Sequence, residues 1–324
     1  MSSFPIPQNL PAYLISNYLP FNLFQAEPYG NALFSSHWHD HVMELIYVVK
    51  GRMQLFIGGY PYIGVEGDIF LIEEGQIHGA YLLEKEEVPE YYAVLINKTI
   101  LLTAESMHIV HEPLLNGKLS FPRCIQAGDA NYEDLKELIL NIAGEYSAKK
   151  SGYELVIKSY LYQLIVTLTR EYGYEVNYSK SERVSRRKIE ELRDVMMYVE
   201  EHYGEQFNLN DISKIARMSP YHFCRTFKKI TGQTFIEYVN LCRIRKGEEM
   251  IINSSLPITQ IAHRVGFNNI NYFNRVFRKY RLCSPSEFRK QTMQAMVHPL
   301  NATNHTTISP PSSLESSLMD TRDH

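Results

Sequence analysis

The stretch "GFNNINYFNRVFRKY", residues 266 to 280, sets Phe273 and Phe277 four apart and scatters Asn and Arg between them. Four residues make about one helical turn, so the two rings share a face. On the other face the spacing puts Ile270, Asn271, Asn274, Arg275 and Arg278. A helix of this kind stands on a core through its rings and presents amides and guanidiniums outward.

The arrangement occurs twice. "LNDISKIARMSPYHFCRTFKKITGQTFIEY" from Leu209 aligns with "ITQIAHRVGFNNINYFNRVFRKYRLCSPSEF" from Ile258. Leu209, Ile212 and Ser213 match Ile258, Ile261 and Ala262. After a one-residue insertion in the turn, Phe223, Arg225, Phe227, Lys228 and Lys229 match Phe273, Arg275, Phe277, Arg278 and Lys279. Each unit reads as a short helix, a tight turn and a second helix. Ser219 before Pro220 is a strong helix start, an N-cap oxygen followed by a residue with no N–H to satisfy; Asn268 or Asn269 takes that role in the second unit. The outward face of the first unit carries Tyr221, Cys224, Arg225 and Lys228. Asn and Arg match adenine and guanine edges in the major groove, and the later Lys and Arg residues suit phosphates.

Charge divides the chain in the same place. The 324 residues sum to −3, but residues 1 to 182 carry 12 Lys and Arg against 22 acids, whereas 183 to 291 carry 20 against 11. A solvated basic face would explain that segment alone; a basic segment that also repeats a base-reading helix points to a polyanion. Cys124, Cys224, Cys242 and Cys283 are far apart, form no C-x-x-C pair and read as reduced thiols of a cytoplasmic protein. No run of eighteen apolar residues appears, so no membrane span is expected, and the N-terminal residues read as the start of a mature chain.

Upstream of the repeats the text changes period. From about Leu33 to Asn97, "MELIYVV", "GRMQLFIGG", "GDIFLI" and "EYYAVLI" alternate with Gly punctuation, which predicts an antiparallel barrel or sandwich. From about 131 to 172 the period is helical with wide apolar stripes, suited to closing one end of the barrel or pairing with a second copy. The polar run 173 to 188 reads as a linker. The expected organisation is therefore α+β: a ligand-sensing barrel domain over 1–130, a helical dimerisation and linker segment over 131–188, an all-α domain with two helix-turn-helix units over 189–290, and a disordered tail over 291–324.

"SPYHFCRTFKKITGQTF", "QIAHRVGFNNINYFNRVFRKY" and "SPSEFR" resemble the DNA-binding domain of the AraC/XylS family of bacterial transcription regulators, over about a third of the chain. The resemblance implies a linking helix, here about 236 to 252, that holds two recognition helices against successive major-groove segments about 34 Å apart. It implies base or backbone contact from Tyr221, Cys224, Arg225, Lys228, Ile270, Asn271, Asn274, Arg275 and Arg278. Departures from the pattern fall in the turns: Arg217 stands where Gly266 stands in the second unit, Leu282 where Gly232 stands in the first, and Phe235 where Pro285 stands in the second. If such a position needs positive φ, a residue other than Gly costs about 1 kcal/mol.

The barrel segment carries a second resemblance. "HWHDHVMELIYVVKG" and "GDIFLIEEGQIHGAYL" are similar to the two cupin motifs, with Glu73 and Leu82 departing from the second. In metal-binding cupins the positions of His37, His39, Glu44 and His78 ligate one divalent ion, a set that suits Fe, Mn, Ni or Zn; a metal-free polar pocket or buried, hydrogen-bonded histidines is the alternative. His41 is expected in the turn between strands. Trp38 and the nearby Tyr47, Phe56, Tyr60, Tyr62, Phe70, Tyr81, Tyr91 and Tyr92 suit a saccharide effector, or simply build the barrel. Two function classes follow: a ligand-responsive regulator that binds an operator as a homodimer and meets RNA polymerase if it activates, or a cupin metalloenzyme (dioxygenase or isomerase) carrying a nucleic-acid-binding domain. The duplicated recognition helix favours the regulator, because an enzyme does not require it.

Overall fold

The computed structural model describes residues 21–24, 30–84, 87–97, 119–175 and 180–297; the N-terminal residues read above as a mature start, and the expected tail from 298 onward, lie outside them. Strand β3, Val42–Lys50, shows how the first domain is assembled. Its sequence looks like a continuous apolar run because it is buried on both sides. Val42, Ile46 and Val48 point into the barrel interior, and Met43, Leu45 and Tyr47 point outward beneath helices.

Two antiparallel sheets close around that interior. One has the order β1-β8-β3-β6-β10, with β1 Phe21–Phe24, β6 Ile69–Ile72, β8 Glu90–Asn97 and β10 Cys124–Ile125. The other has the order β2-β7-β4-β5, with β2 Ala32–His37, β4 Arg52–Ile57, β5 Tyr60–Val65 and β7 His78–Leu82. Leu33, Phe34, Ile46, Leu55, Phe70, Tyr91 and Leu95 fill the space between the sheets. Two helices, α1 Tyr132–Ala148 and α2 Tyr153–Thr167, cover the outer face of the first sheet through Leu135, Ile139, Ile142, Leu161 and Leu164. The 131–172 stripes are thus used on the barrel wall, while Leu155, Val156 and Tyr162 of α2 stay exposed.

The linker expectation is corrected in part. Tyr174–Glu175 (β11) pairs with Leu119–Ser120 (β9), and the chain from Lys180 is already helix: α3 runs Lys180–Glu201. Val184, Arg186 and Arg187 near its start are exposed, and only from Ile189 do apolar residues recur at helical spacing against the core. Residues 291 to 297, expected in the tail, are instead helical, the end of α9 Pro285–Val297.

Between them lie α4 Leu209–Ile215 and α5 Pro220–Thr231, the linking helix α6 Phe235–Asn253, and α7 Ile258–Arg264 and α8 Ile270–Arg281. The two units have separate cores. Phe223, Phe227, Tyr238 and Cys242 pack with Leu192, Val195, Met196 and Val199 of α3; Phe273, Phe277, Leu241, Ile244 and Ile251 pack with Phe267 and Phe288. The linking helix serves both, presenting a different face to each. Ile77 of the barrel is buried in the first of these cores.

Candidate metal centre and nucleic-acid interface

Strand pairing brings the histidines together. His37 on β2 lies directly opposite His78 on β7, and Glu44 projects inward from β3. His39 follows in the loop, so one ligand atom from each of the four residues lies within 4.8 Å of every other. All four predicted positions meet. His37 Nε2 is 3.1 Å from His39 Nε2, and Glu44 Oε2 is 2.9 Å from His78 Nε2 and 3.3 Å from His39 Nε2. His41 lies in the turn, exposed, with Nδ1 3.1 Å from Glu74.

The surroundings orient these rings. His37 Nδ1 sits 2.7 Å from the Ser35 carbonyl and His78 Nδ1 2.9 Å from the Gln76 carbonyl. A carbonyl only accepts, so each Nδ1 donates to it and each Nε2 is turned toward the centre, where His78 Nε2 donates to the Glu44 carboxylate and would give up that proton to ligate an ion. Burial, with His78 and then His39 nearby, holds the His37 pKa well below its usual value, so that ring is neutral near pH 7. Burial alone would raise the Glu44 pKa, but His78 and His39 pull it well below the usual carboxylate range. Neutral imidazoles and an ionised carboxylate are the forms that bind metal. The donor set fits Zn, Fe, Mn or Ni.

Trp38, grouped with these residues from sequence, is placed elsewhere. It packs beside the first helix-turn-helix core with the Arg193 guanidinium 5.1 Å from its ring centroid. The aromatic residues are likewise dispersed: Tyr47 and Tyr92 under α1, Phe70 and Tyr91 inside the barrel, Phe56 and Tyr81 against the helical domain, and Tyr60 below Arg123.

In the helical domain the caps form as the sequence requires. The Ser219 side chain accepts from His222 N, and Asn269 rather than Asn268 caps α8, accepting from Asn271 N and Tyr272 N. Asn268 instead accepts from Gln206 Nε2. Tyr221, Cys224, Arg225 and Lys228 are exposed on α5, as are Asn271, Arg275 and Arg278 on α8; Asn274 is half-buried. Ile270 departs from its expected place, since it packs partly against the second core. Arg275 lies over the Tyr272 ring, 5.1 Å from its centroid. An open cleft of about 520 Å³ in front of the second unit is lined by Gln206, Asn268, Asn271, Tyr272 and Arg275.

The residue that sequence reading missed is Arg243. Nearly buried on the linking helix, it donates to the Tyr203 and Glu205 carbonyls at 2.8 and 2.5 Å and lies between the rings of Phe207 and Phe267. It ties the loop after α3 to the turn of the second unit. An Arg among many in a basic segment carries no mark of that task.

Comparison with known proteins agrees with this division. Residues 24–165 match the sequence model of the AraC-like ligand binding domain, and 212–291 match that of a helix-turn-helix domain. The chain is similar to the uncharacterized HTH-type transcriptional regulator YdeC of Bacillus subtilis, 26% identical over 80% of this chain and 87% of that one. It is also similar to the lactose operon transcription activator of Staphylococcus xylosus, 24% identical over 75% and 81%. A crystal structure of ToxT from Vibrio cholerae aligns over 86% of this chain and 99% of that one, at 14% identity and a TM-score of 0.38.

Proposed function

The chain belongs to the AraC family of transcriptional regulators, an AraC-like ligand-binding domain followed by a helix-turn-helix DNA-binding domain, and from that premise we propose that its sensing site is the His37, His39, Glu44 and His78 centre. The observation that carries the proposal is the convergence of three imidazole Nε2 atoms and one carboxylate within 4.8 Å, two of the rings held with Nε2 toward the centre by backbone carbonyls on Nδ1. When bound, a divalent transition ion supplies positive charge and open positions for hydroxyl or carboxylate oxygens of a small effector. A saccharide remains the effector class to try first, because the similar Staphylococcus xylosus protein is a lactose operon activator. The centre acts as a sensor and not as a catalyst: Ser36, Trp38 and Asp40, interleaved with its ligands in the chain, all contact the helical domain.

On the DNA side Arg225, Asn271 and Arg275 read base edges, Lys228 and Arg278 hold phosphates, and Tyr221, Cys224 and Asn274 complete the contact face. The exposed Leu155, Val156 and Tyr162 on α2 suit a homodimer, each copy presenting one pair of recognition helices to an operator in the cytoplasm, with RNA polymerase as a further partner if the outcome is activation.

Elemental analysis of the purified full-length chain, with Zn²⁺ and Mn²⁺ titrated by calorimetry, tests the sensing site. We expect one ion per chain, lost in His37→Ala and His78→Ala. A chain that binds neither ion, with the same melting temperature with and without chelator, overturns it.

A further inference from the structure

One short segment of the barrel touches four helices of the helical domain, α3, α5, α6 and α8. Between Gly30 and Asp40, the Gly30 N–H donates to the Tyr280 carbonyl at 3.2 Å, Ser35 Oγ accepts from the Arg245 guanidinium, and Ser36 Oγ donates to the Thr231 carbonyl at 2.6 Å. Trp38 lies under Arg193, and Asp40 pairs with the same guanidinium at 2.5 Å. From β7, Tyr81 OH adds a second bond to the Thr231 carbonyl at 2.7 Å.

Two of these acceptors have a particular place. Thr231 ends α5 and Tyr280 sits in the last turn of α8, so both carbonyls belong to the group that a helix leaves without an internal partner. The barrel supplies the missing donors to both recognition helices. The fit at the first is close: a Cβ on Gly232 would stand 2.6 Å from the Phe56 ring, and one on Gly59 3.0 Å from Ile230.

The docked arrangement does not cover the DNA-facing side chains, since Tyr221, Arg225, Lys228, Asn271, Arg275 and Arg278 are exposed in it. Control by masking is therefore excluded in this arrangement, and control through geometry is left. A tandem pair of recognition helices reads DNA only when its separation matches the groove repeat. The contact also leaves polar groups unmet among the described residues, where Gln233 Nε2 and Arg193 Nε are buried without a hydrogen-bond partner. That desolvation weakens the docked state and places it where a modest signal shifts it.

We infer that the barrel is a brace across the two recognition helices, gripping the C-terminal carbonyls of both, and that the segment Gly30–Asp40, strand β2 with its flanking turns, carries the state of the histidine centre to their separation. His37 and His39 are adjacent in the chain to Ser36, Trp38 and Asp40, so a shift that seats an ion moves the gripping residues with it. The brace stands on the contacts alone; only its coupling to metal rests on the sensing site proposed above.

Pulsed EPR on the full-length chain tests both parts. Nitroxides are placed on the exposed Cys224 and on Arg278→Cys, with Cys124 and Cys283 changed to serine and Cys242 buried in the core. We expect a single narrow distance distribution, lost when Ser36→Ala and Tyr81→Phe are combined; calorimetric Zn²⁺ binding by the combined variant shows that its barrel is folded. Equal widths in the two chains overturn the brace. Added Zn²⁺ is expected to shift the distance in the parent and not in the combined variant. Bound Zn²⁺ that leaves the parent distribution unmoved overturns the coupling, and Zn²⁺ that fails to bind removes the metal reading while the first comparison still decides the brace.

Discussion

The two helix-turn-helix units share one plan and keep their glycines in opposite places. At the turn the first unit has Arg217 (φ 51°) and the second Gly266 (φ 91°); after the recognition helix the first has Gly232 (φ 78°) and the second Leu282 (φ 59°). All four positions are left-handed, so conformation alone does not explain which became glycine. Proximity does. A Cβ on Gly266 would stand 2.8 Å from Arg243, and one on Gly232 would meet Phe56 at 2.6 Å, whereas Leu282 is 87% exposed. Glycine persists where another part of the molecule presses on the backbone; open positions tolerate the strain of a side chain.

The same contrast runs through the anchoring of the recognition helices. Arg281 at the end of α8 makes a two-pronged ion pair with Glu248 of the linking helix, at 2.7 and 2.9 Å, so the second unit is fastened within its own domain. Thr231, at the corresponding place, gives its hydroxyl to Phe227 and Gln233 carbonyls and its carbonyl to the barrel. Both units touch the barrel, the second through the Gly30 N–H on its Tyr280 carbonyl, but the first gives it a carbonyl that takes two donors and a glycine pressed by Phe56, and so leans on it more.

The largest test concerns the separate cores. Phe227→Ala and Phe277→Ala each remove a fully buried ring and should each cost about 3 to 5 kcal/mol. Hydrogen exchange should localise them differently. Phe227→Ala is expected to expose the barrel contact around Gly30–Asp40 as well as its own unit, and Phe277→Ala mainly α7 to α9. Equal loss of protection in the barrel from both would break the distinction between a unit that leans mainly on the barrel and one fastened mainly within its own domain.

Next come the pressed glycines. Gly232→Ala and Gly266→Ala each place a Cβ in a left-handed, crowded position and should cost about 1 to 3 kcal/mol in denaturant unfolding. Gly232→Ala alone should also loosen the barrel from the helical domain, read as faster proteolysis between the two. If Gly266→Ala did so equally, proximity to the barrel would not be what holds Gly232.

On DNA the units should differ less. Arg225→Ala and Arg275→Ala should each weaken binding to the selected operator by roughly 1 to 3 kcal/mol with relaxed preference at one position, whereas Lys228→Ala should weaken all sequences alike. Gel shifts over operator variants decide this. Operator affinity untouched by both Arg changes would take base reading away from these helices.

Legibility followed the kind of contact involved. Repeats, caps and buried phenylalanines follow from local spacing, so both units, the linking helix and the Ser219 and Asn269 starts were readable. The His37, His39, Glu44 and His78 centre was also readable, because a sequence motif fixed the register that β2 and β7 then realise. Contacts between domains left no trace. Ser36, Tyr81 and Gly30 look like ordinary barrel residues, and nothing in the text says that their partners are the Thr231 and Tyr280 carbonyls. Trp38 is unreadable for the same reason: it sits in the loop between His37 and His39, and the surface that receives it belongs to a helix far along the chain.

The smallest effect isolates strain from proximity. Arg217→Gly and Leu282→Gly keep the backbone and relieve a left-handed conformation that costs an L-residue about 1 to 2 kcal/mol, partly offset by the greater freedom of glycine in the unfolded chain. A net gain of up to about 1 kcal/mol is expected from each, seen as a small rise in Tm with operator affinity unchanged. Neither side chain forms a described interface with the barrel, so the two gains should be alike and should add, as changes at distant sites do. If Arg217→Gly instead lost stability or DNA affinity, its guanidinium would have a partner worth more than the strain it imposes. The first turn would then differ from the second by function and not merely by available space.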